Sequence, residues 1–91
     1  MCKIIFSNKF EKKFVKYSKD KKVLIEIKKI SDYLIKKESL PVKYMNHKLK
    51  GCFEGSYDCH VRPDLVLIYT IYSKEKIIYF VDIGTHSNLF E

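Results

Sequence analysis

Apolar residues recur at helical spacing in the first part of the chain. Residues 2–7 are rich in β-branched side chains and predict a short strand. An apolar stripe follows at i, i+4 and i+7: Phe10, Phe14 and Tyr17. This spacing predicts an amphipathic helix with a buried aromatic face, capped by Ser7 or Asn8. Lysines occupy the other side of that helix: Lys9, Lys12, Lys13 and Lys16.

A second, longer helix is predicted after residue 20. Asp20 can cap its N-terminus, because a carboxylate there accepts hydrogen bonds from free backbone N–H groups and balances the helix dipole. Five apolar residues share one helical face and are expected to be buried: Val23, Leu24, Ile27, Ile30 and Leu34. Residues 39–41 read Ser-Leu-Pro and end the helix, since the residue before a proline avoids helical angles.

From residue 56 onward the pattern changes to that of β-strands. Residues 56–62 alternate between polar and apolar side chains and predict a strand. The nearly continuous apolar run Leu65–Tyr72 predicts a central strand, and residues 76–83 return as its neighbour after a short hairpin turn. Gly84 ends this strand and leaves residues 85–91 as a polar tail.

The predicted order β-α-α-β-β-β indicates an α+β fold. Two helices, each with one apolar face, would pack on the same side of a four-stranded, mainly antiparallel sheet. The other side of the sheet would remain available as a binding surface. Residues 41–55 form a long, irregular and basic connection. No repeat, linker or low-complexity tract interrupts the sequence, so residues 1–91 are expected to form a single domain.

Composition excludes a disordered chain and a membrane-spanning one. Hydrophobic residues make up 46% of the chain, which has seven tyrosines and six phenylalanines. No apolar run approaches the ~20 residues that are needed to span a bilayer. The first six residues are too short for a signal peptide. We therefore expect a cytoplasmic protein with no membrane partner.

The net charge of +7 is concentrated in one half of the sequence. Residues 1–50 carry 15 lysines and 5 acidic residues, whereas residues 51–91 carry 3 basic and 6 acidic residues. Such a surplus attracts polyanions. An RNA-rich partner such as the ribosome and an acidic protein segment both fit this charge.

The cysteines do not indicate a disulfide framework or a zinc site. Cys2, Cys52 and Cys59 are odd in number and include no CxxC pair. A metal cluster of Cys52, Cys59 and His60 is the alternative to small, buried thiols in a reducing compartment.

All three histidines of the chain lie in its last forty-five residues: His47, His60 and His86. Histidine can both accept and donate a proton near neutral pH. Cleavage of RNA without a metal needs a base that deprotonates the 2′-OH and an acid that protonates the leaving 5′-oxygen. Three histidines in a basic protein therefore suggest a small ribonuclease that needs no cofactor.

Acidic and basic side chains surround the second histidine. Strand alternation places Asp58, His60 and Arg62 on one face, although periodicity alone would make this an ordinary solvent-exposed strand. Asp64, in the Pro-Asp turn, can assist a neighbouring histidine or accept a proton itself. Phe90, close to the C-terminus, can stack on an unpaired base or pack against the core.

Three motifs occur in order: NHKLKG at residues 46–51, GSYDCHVRPDLVLIY at 55–69 and GTHSNLF at 84–90. In type, order and spacing they resemble the YafQ branch of the RelE/ParE superfamily, which are toxins of bacterial type II toxin–antitoxin systems. The resemblance covers nearly the whole chain, and its specific part runs from residue 44 to residue 90. It also implies the β-α-α-β-β-β fold.

The resemblance implies a catalytic set of His47, His60, Asp64 and His86. Asp58 and Phe90 match further positions that matter for activity in this branch. The order of proton transfer stays open: His60 with Asp64 or Asp58 would accept the proton, and His86 or His47 would donate it.

Two positions depart from the family pattern. Leu65, an expected substrate contact, stands where a better-known member has tryptophan. Relatives of the RelE type also use a phosphate-binding arginine on the last strand, whereas this chain has Asp82 there. The positive charge that stabilises the phosphorane would then come from one of four sources: Arg62, Lys48, Lys50 or a protonated histidine.

The resemblance implies a toxin that a cognate antitoxin holds inactive in a hetero-oligomer. Freed as a monomer, it would enter the ribosomal A site, contact rRNA through its lysine-rich helices and cleave mRNA by attack of the ribose 2′-OH on the adjacent phosphate. The alternative is a non-enzymatic toxin of the ParE type that poisons DNA gyrase, which does not need three histidines. A nucleic-acid-binding domain without activity is a third possibility.

Overall fold

A computed structural model describes residues 2–49 and 55–90 of the chain. Its strands are β1 (Lys3–Phe6), β2 (His47–Lys48), β3 (Ser56–Arg62), β4 (Leu65–Tyr72) and β5 (Ile77–Gly84). Its helices are α1 (Asn8–Phe14), α2 (Lys21–Ile35) and α3 (His86–Phe90), with 3₁₀ turns at Val15–Tyr17 and Val42–Tyr44. The expected central strand is confirmed at the bounds that the apolar run predicted. Two of the expected site residues, Lys50 and the nearby Cys52, lie outside the described residues.

The sheet has five strands in the order β1-β5-β4-β3-β2. β1 pairs with β5 in parallel, and the other neighbours are antiparallel. The prediction of four strands was therefore wrong by one. Strand β2 is only two residues long, too short to show an alternating pattern, and it forms because His47 and Lys48 pair with Asp58 and Tyr57 of β3.

The hydrophobic core lies between the sheet and the two longer helices. Helix residues in this core are Phe10, Val23, Ile27, Ile30 and Leu34. Sheet residues in the same core include Cys59, Val61, Leu65, Leu67, Tyr69, Ile78, Phe80 and Ile83. The aromatic stripe of α1 packs as predicted, with the rings of Phe10 and Phe14 stacked 5.1 Å apart. Leu24 was expected in the core but is exposed, because it lies beside the buried stripe of α2.

Both long helices begin at side-chain caps. The Ser7 hydroxyl, rather than Asn8, accepts a hydrogen bond of 2.9 Å from the Phe10 backbone N–H. Asp20 accepts from the backbone N–H groups of Lys22 and Val23 at 3.1 and 3.2 Å, which confirms the predicted cap. Its other carboxylate oxygen binds the Arg62 guanidinium at 2.8 Å, so one side chain joins the start of α2 to the end of β3.

Replacing Asp20 by alanine is expected to lower the free energy of unfolding by about 1–2 kcal/mol, because the helix loses its cap. The Arg62 pair is partly exposed and adds at most about 1 kcal/mol. Asp20→Asn is the matched control, since it keeps the cap and removes the ionic partner. Urea denaturation of both variants measures the two contributions. If asparagine were as destabilising as alanine, the ion pair and not the cap would be the main contribution.

The C-terminal segment differs from the predicted tail. Residues His86–Phe90 form the short helix α3, in which the Thr85 hydroxyl accepts a 3.2 Å hydrogen bond from the Asn88 N–H. Isolated helices of this length are unstable in water, so local sequence gives no signal for it. Among the described residues, no helix is long and apolar enough to cross a membrane.

Candidate catalytic site

The sheet face opposite the long helices carries two rows of paired residues. Directly paired residues of neighbouring strands point to the same face of a sheet. The first row runs across four strands: His47, Asp58, Ile68 and Asp82. The second row runs across three: His60, Val66 and Gly84. Val66 and Ile68 are buried but do not belong to the helix-side core, which agrees with their position on the other face.

His47 and Asp58 face each other at the start of the first row. The imidazole Nδ1 lies 3.7 Å from Asp58 Oδ1, which is an ion-pair distance if the ring is protonated. His47 is 63% exposed in its side chain, whereas Asp58 is only 7% exposed as a residue. The expectation of an ordinary solvent-exposed strand was therefore wrong for Asp58. Its Oδ1 has no hydrogen-bond partner within the described part of the chain.

A buried tyrosine holds the segment that carries His47. The Tyr69 hydroxyl donates a 2.6 Å hydrogen bond to the Asn46 side-chain oxygen, one residue before His47. Burial raises the pKa of the Tyr69 hydroxyl above its ordinary value, so the group stays protonated as a donor. Sequence reasoning missed both residues, although a tyrosine within a continuous apolar strand already requires a partner for its hydroxyl.

His60 lies two residues further along β3, about 6.6 Å from Asp58 along the strand. Its ring is half-buried, and Nδ1 is buried without a hydrogen-bond partner in residues 2–49 and 55–90. A buried nitrogen that lacks a partner is costly, and such groups concentrate at functional sites. The structure therefore brings His47, Asp58 and His60 together on one face of the sheet.

Helix α3 covers the end of the second row and carries His86. A side chain at Gly84 would point at α3, because a Cβ built there lies 3.5 Å from Leu89 Cδ2 and 3.6 Å from Asn88 Cβ. His86 is exposed, and its ring lies 4.7 Å from that of Phe90, its i+4 neighbour. Phe90 thus contacts the His86 ring, and its two expected roles, stacking on a base and packing against the core, stay predictions.

Asp64 and Arg62 occupy the end of β3 in different ways. Asp64 is exposed in the β3–β4 turn, at the same end of the sheet as Gly84 and His86. Arg62 was expected on the face of Asp58 and His60, but the register shifts between His60 and Arg62. This bulge breaks the alternation, and Arg62 binds Asp20 at the start of α2. The prediction that strand spacing places Arg62 beside the histidines was wrong.

Two other expected substrate contacts have clear positions. Leu65 is 3% exposed within the helix-side core, so its side chain packs and does not reach a substrate. Lys48 is exposed on the edge strand β2, next to His47. Asp82, where relatives have arginine, is buried and bound to two lysines of α1 at 3.3 and 2.9 Å: Lys9 and Lys13.

Of the two described cysteines, Cys59 is buried and Cys2 is half-buried. Burial, and to a lesser extent the neighbouring Asp58 charge, raises the pKa of the Cys59 thiol to about 12, so this thiol is not ionised near neutral pH. No group of three or more metal-ligating side chains occurs among residues 2–49 and 55–90. Cys2 is half-buried in the N-terminal segment.

Known proteins share both the sequence pattern and the fold of this chain. Residues 2–91 match the sequence model of a family described as the bacterial toxin of a type II toxin–antitoxin system, YafQ. The chain belongs to the YafQ family. It is 34% identical over 88 residues to the mRNA interferase toxin YafQ of Escherichia coli strain B, an alignment that spans 96% of this chain and 94% of that protein.

Two further comparisons agree. The mRNA interferase toxin YafQ of Escherichia coli K12 is 43% identical over 51 residues, which are 56% of this chain and 53% of that protein. In the crystal structure of the E. coli DinJ–YafQ complex, a chain with 33% identity superposes with a TM-score of 0.84 and full coverage of both chains. The α+β fold with a five-stranded mixed sheet is thus shared with YafQ toxins, and the chain is a type II toxin.

Proposed function

We propose that this YafQ-family toxin is an endoribonuclease that cleaves mRNA on the ribosome by proton transfer between histidines and the RNA. One observation carries the proposal: His47, Asp58 and His60 share the sheet face opposite the long helices, with His86 at the end of that face. Asp58 Oδ1 is buried beside the His47 imidazole and has no hydrogen-bond partner among residues 2–49 and 55–90, and a functional role would account for the stability that such a group costs.

The reaction begins with removal of the proton from a ribose 2′-OH, which then attacks the adjacent phosphate. His60 is our choice of base, because its Nδ1 is buried and Nε2 is then the nitrogen left for the substrate. Protonation of the leaving 5′-oxygen completes the cleavage. His47 and His86 are both exposed enough to donate this proton. Asp58 is placed to balance the charge of a protonated His47.

Asp64 and Phe90 have supporting roles in this scheme. Asp64 stands at the sheet end that also carries His86, where it can accept a proton or balance an imidazolium charge. Phe90 holds the His86 ring by direct contact. Of the expected phosphate-binding cations, Lys48 adjoins His47, whereas Arg62 is bound to Asp20. No step in this scheme requires a cofactor.

The toxin is expected to work between two partners. Residues 1–91 would act as one domain, held inactive in the cytoplasm by a cognate antitoxin, in the way that the E. coli relative is seen in complex with DinJ. As a free monomer it would bind the ribosome through its lysine-rich helices, driven by the excess positive charge of residues 1–50.

Primer extension on cellular transcripts tests the proposal. Induction of the chain in a bacterium should arrest growth and produce new 5′ ends inside translated reading frames. The same transcripts with mutated start codons are the matched control, and they should remain intact because cleavage requires translation. Intact mRNA together with blocked DNA supercoiling would instead indicate a gyrase poison of the ParE type.

A further inference from the structure

The lysines of α1 form one continuous face. Lys9, Lys12, Lys13 and Lys16 follow each other at i, i+3, i+4 and i+7, so they lie on the same side of α1 and its 3₁₀ extension. We call these four residues the lysine face. On the opposite side, the aromatic stripe of α1 packs into the core. Three of these lysines are exposed, but Lys9 and Lys13 also reach Asp82 of β5.

A buried carboxylate, Asp82, binds two members of the lysine face and belongs to the first row of paired residues, which also contains His47 and Asp58. Asp82 binds Lys13 at 2.9 Å and Lys9 at 3.3 Å, and it belongs to the same row as Asp58. Their strands are two positions apart, or about 9.6 Å. One carboxylate neutralises only one of the four ammonium groups, so the face retains a surplus of positive charge next to the site.

The rest of the lysine face lines a groove between α1 and α3. The groove has a volume of about 210 Å³, and its walls are Lys12, Lys13, Lys16, Tyr17, Ile83, Gly84 and Asn88. No carboxylate is among these residues. Three ammonium groups and the Asn88 amide can all donate hydrogen bonds to an anion, and the absence of a side chain at Gly84 opens the floor of the groove.

We propose that this groove binds a backbone phosphate of the mRNA strand, adjacent to the phosphate that is cleaved. The inference rests on the proposed ribonuclease function. It identifies where the RNA strand leaves the sheet face that carries His47, Asp58 and His60. Asn88 and His86 are two residues apart in α3 and therefore project from different sides of that helix. The strand would pass α3, with one phosphate near the histidines and the next in the groove.

The lysine face also provides positive charge near the last strand, where this toxin has Asp82 and not the arginine of RelE-type relatives. An aspartate in place of an arginine changes the charge at this position of β5 from +1 to −1, but Lys9 and Lys13 converge on Asp82 and leave the cluster of three side chains with a net charge of +1. The positive charge beside the row is thereby supplied by a helix rather than by the strand itself.

The test uses the full chain and a short single-stranded RNA that is 2′-O-methylated, so that it cannot be cleaved. The groove variant is Lys12→Gln/Lys16→Gln, which leaves the Asp82 pair intact. The matched control is Lys21→Gln/Lys28→Gln, which removes the same charge from the exposed side of α2. Fluorescence anisotropy over a salt series gives the affinity and its salt dependence for each protein.

We expect the groove variant to bind several-fold more weakly at low salt. Its slope of log affinity against log salt should fall by about 0.7, because the groove holds one phosphate and each neutralised phosphate of a single strand contributes roughly 0.7 to the slope. The control should keep most of the wild-type slope. In NMR titrations of the wild type, the amide signals of Gly84 and Asn88 should shift when the RNA is added.

Three results would overturn the proposal. An unchanged slope in the groove variant would exclude the phosphate interaction, and an equal reduction in the control would show a general effect of charge. Unchanged RNA binding with weaker binding of the antitoxin, or of ribosomes that carry no mRNA, would assign the groove to that partner. Failure of the proposed function looks different, because uncleavable RNA would still bind in the groove while translated transcripts stayed intact.

Discussion

Substitution of His60 or His86 by glutamine is expected to slow mRNA cleavage by about 10²–10⁴-fold each, because a general acid or base typically contributes that much to the rate. Glutamine is preferred to alanine at position 60, because the His60 ring is half-buried and its complete removal would leave a gap. It keeps polarity and approximate size but cannot transfer a proton near neutral pH. Single-turnover cleavage on programmed ribosomes measures the reduction in rate.

The control for these variants is their binding to ribosomes and to the antitoxin, which shows whether the fold is intact. Neither substitution removes a lysine, so affinity for ribosomes and for the antitoxin should stay at the wild-type level. Asp64→Asn should also reduce the rate while it preserves shape. In the double variant His60→Gln/His86→Gln, the reduction should be smaller than the product of the two single reductions if the two groups act as a unit. Full toxicity in all three single variants would refute acid–base catalysis.

Removal of both lysines that bind Asp82 is expected to be the most destabilising change outside the core. In Lys9→Met/Lys13→Met, a carboxylate that is almost fully buried loses both cations. Breaking a buried ion pair costs about 3–5 kcal/mol, and here, among the groups that the structure describes, only the 2.9 Å hydrogen bond from the Ile83 backbone N–H would remain on Asp82. The low end, about 3 kcal/mol, is expected here because Lys9 and Lys13 are partly exposed and water can replace them. In a chain of this size the melting temperature would fall by about 12–24 °C.

The triple variant Lys9→Met/Lys13→Met/Asp82→Leu distinguishes the cause of this destabilisation. If the unpaired carboxylate is responsible, its removal should restore most of the stability, because an ion pair can often be replaced by apolar residues of similar volume. Thermal unfolding at neutral pH measures all three proteins, including Asp82→Leu alone. A triple variant as unstable as the double would show that the lysine stems, and not the charges, stabilise α1 on β5.

The sequence by itself determined most of the secondary structure. The aromatic stripe of α1, the Asp20 cap, the central strand Leu65–Tyr72 and its neighbours all follow from local periodicity and local capping chemistry. These signals are strong because each depends on residues a few positions apart. Motif order also predicted the family, since the ordered histidine motifs of residues 46–90 are present in the sequence whatever the chain's conformation.

The arrangement of the proposed catalytic residues was decided by strand pairing over long distances in sequence. His47 meets Asp58 only because two residues of an irregular segment pair with β3. A bulge between His60 and Arg62, which no local sequence pattern predicts, turns the Arg62 side chain away from His60 and toward Asp20. Helix α3 exists because it packs against Gly84, which a five-residue segment cannot achieve alone.

Charge shows the same division between sequence and tertiary structure. The sequence determined that the first half of the chain is strongly basic and that Asp82 stands on the last strand. Only the tertiary structure decided that Lys9 and Lys13 converge on that aspartate, because a buried carboxylate requires cations and α1 begins beside β5. The direction in which a lysine points depends on which charges the fold buries near it, and burial is a property of the assembled sheet rather than of any local segment.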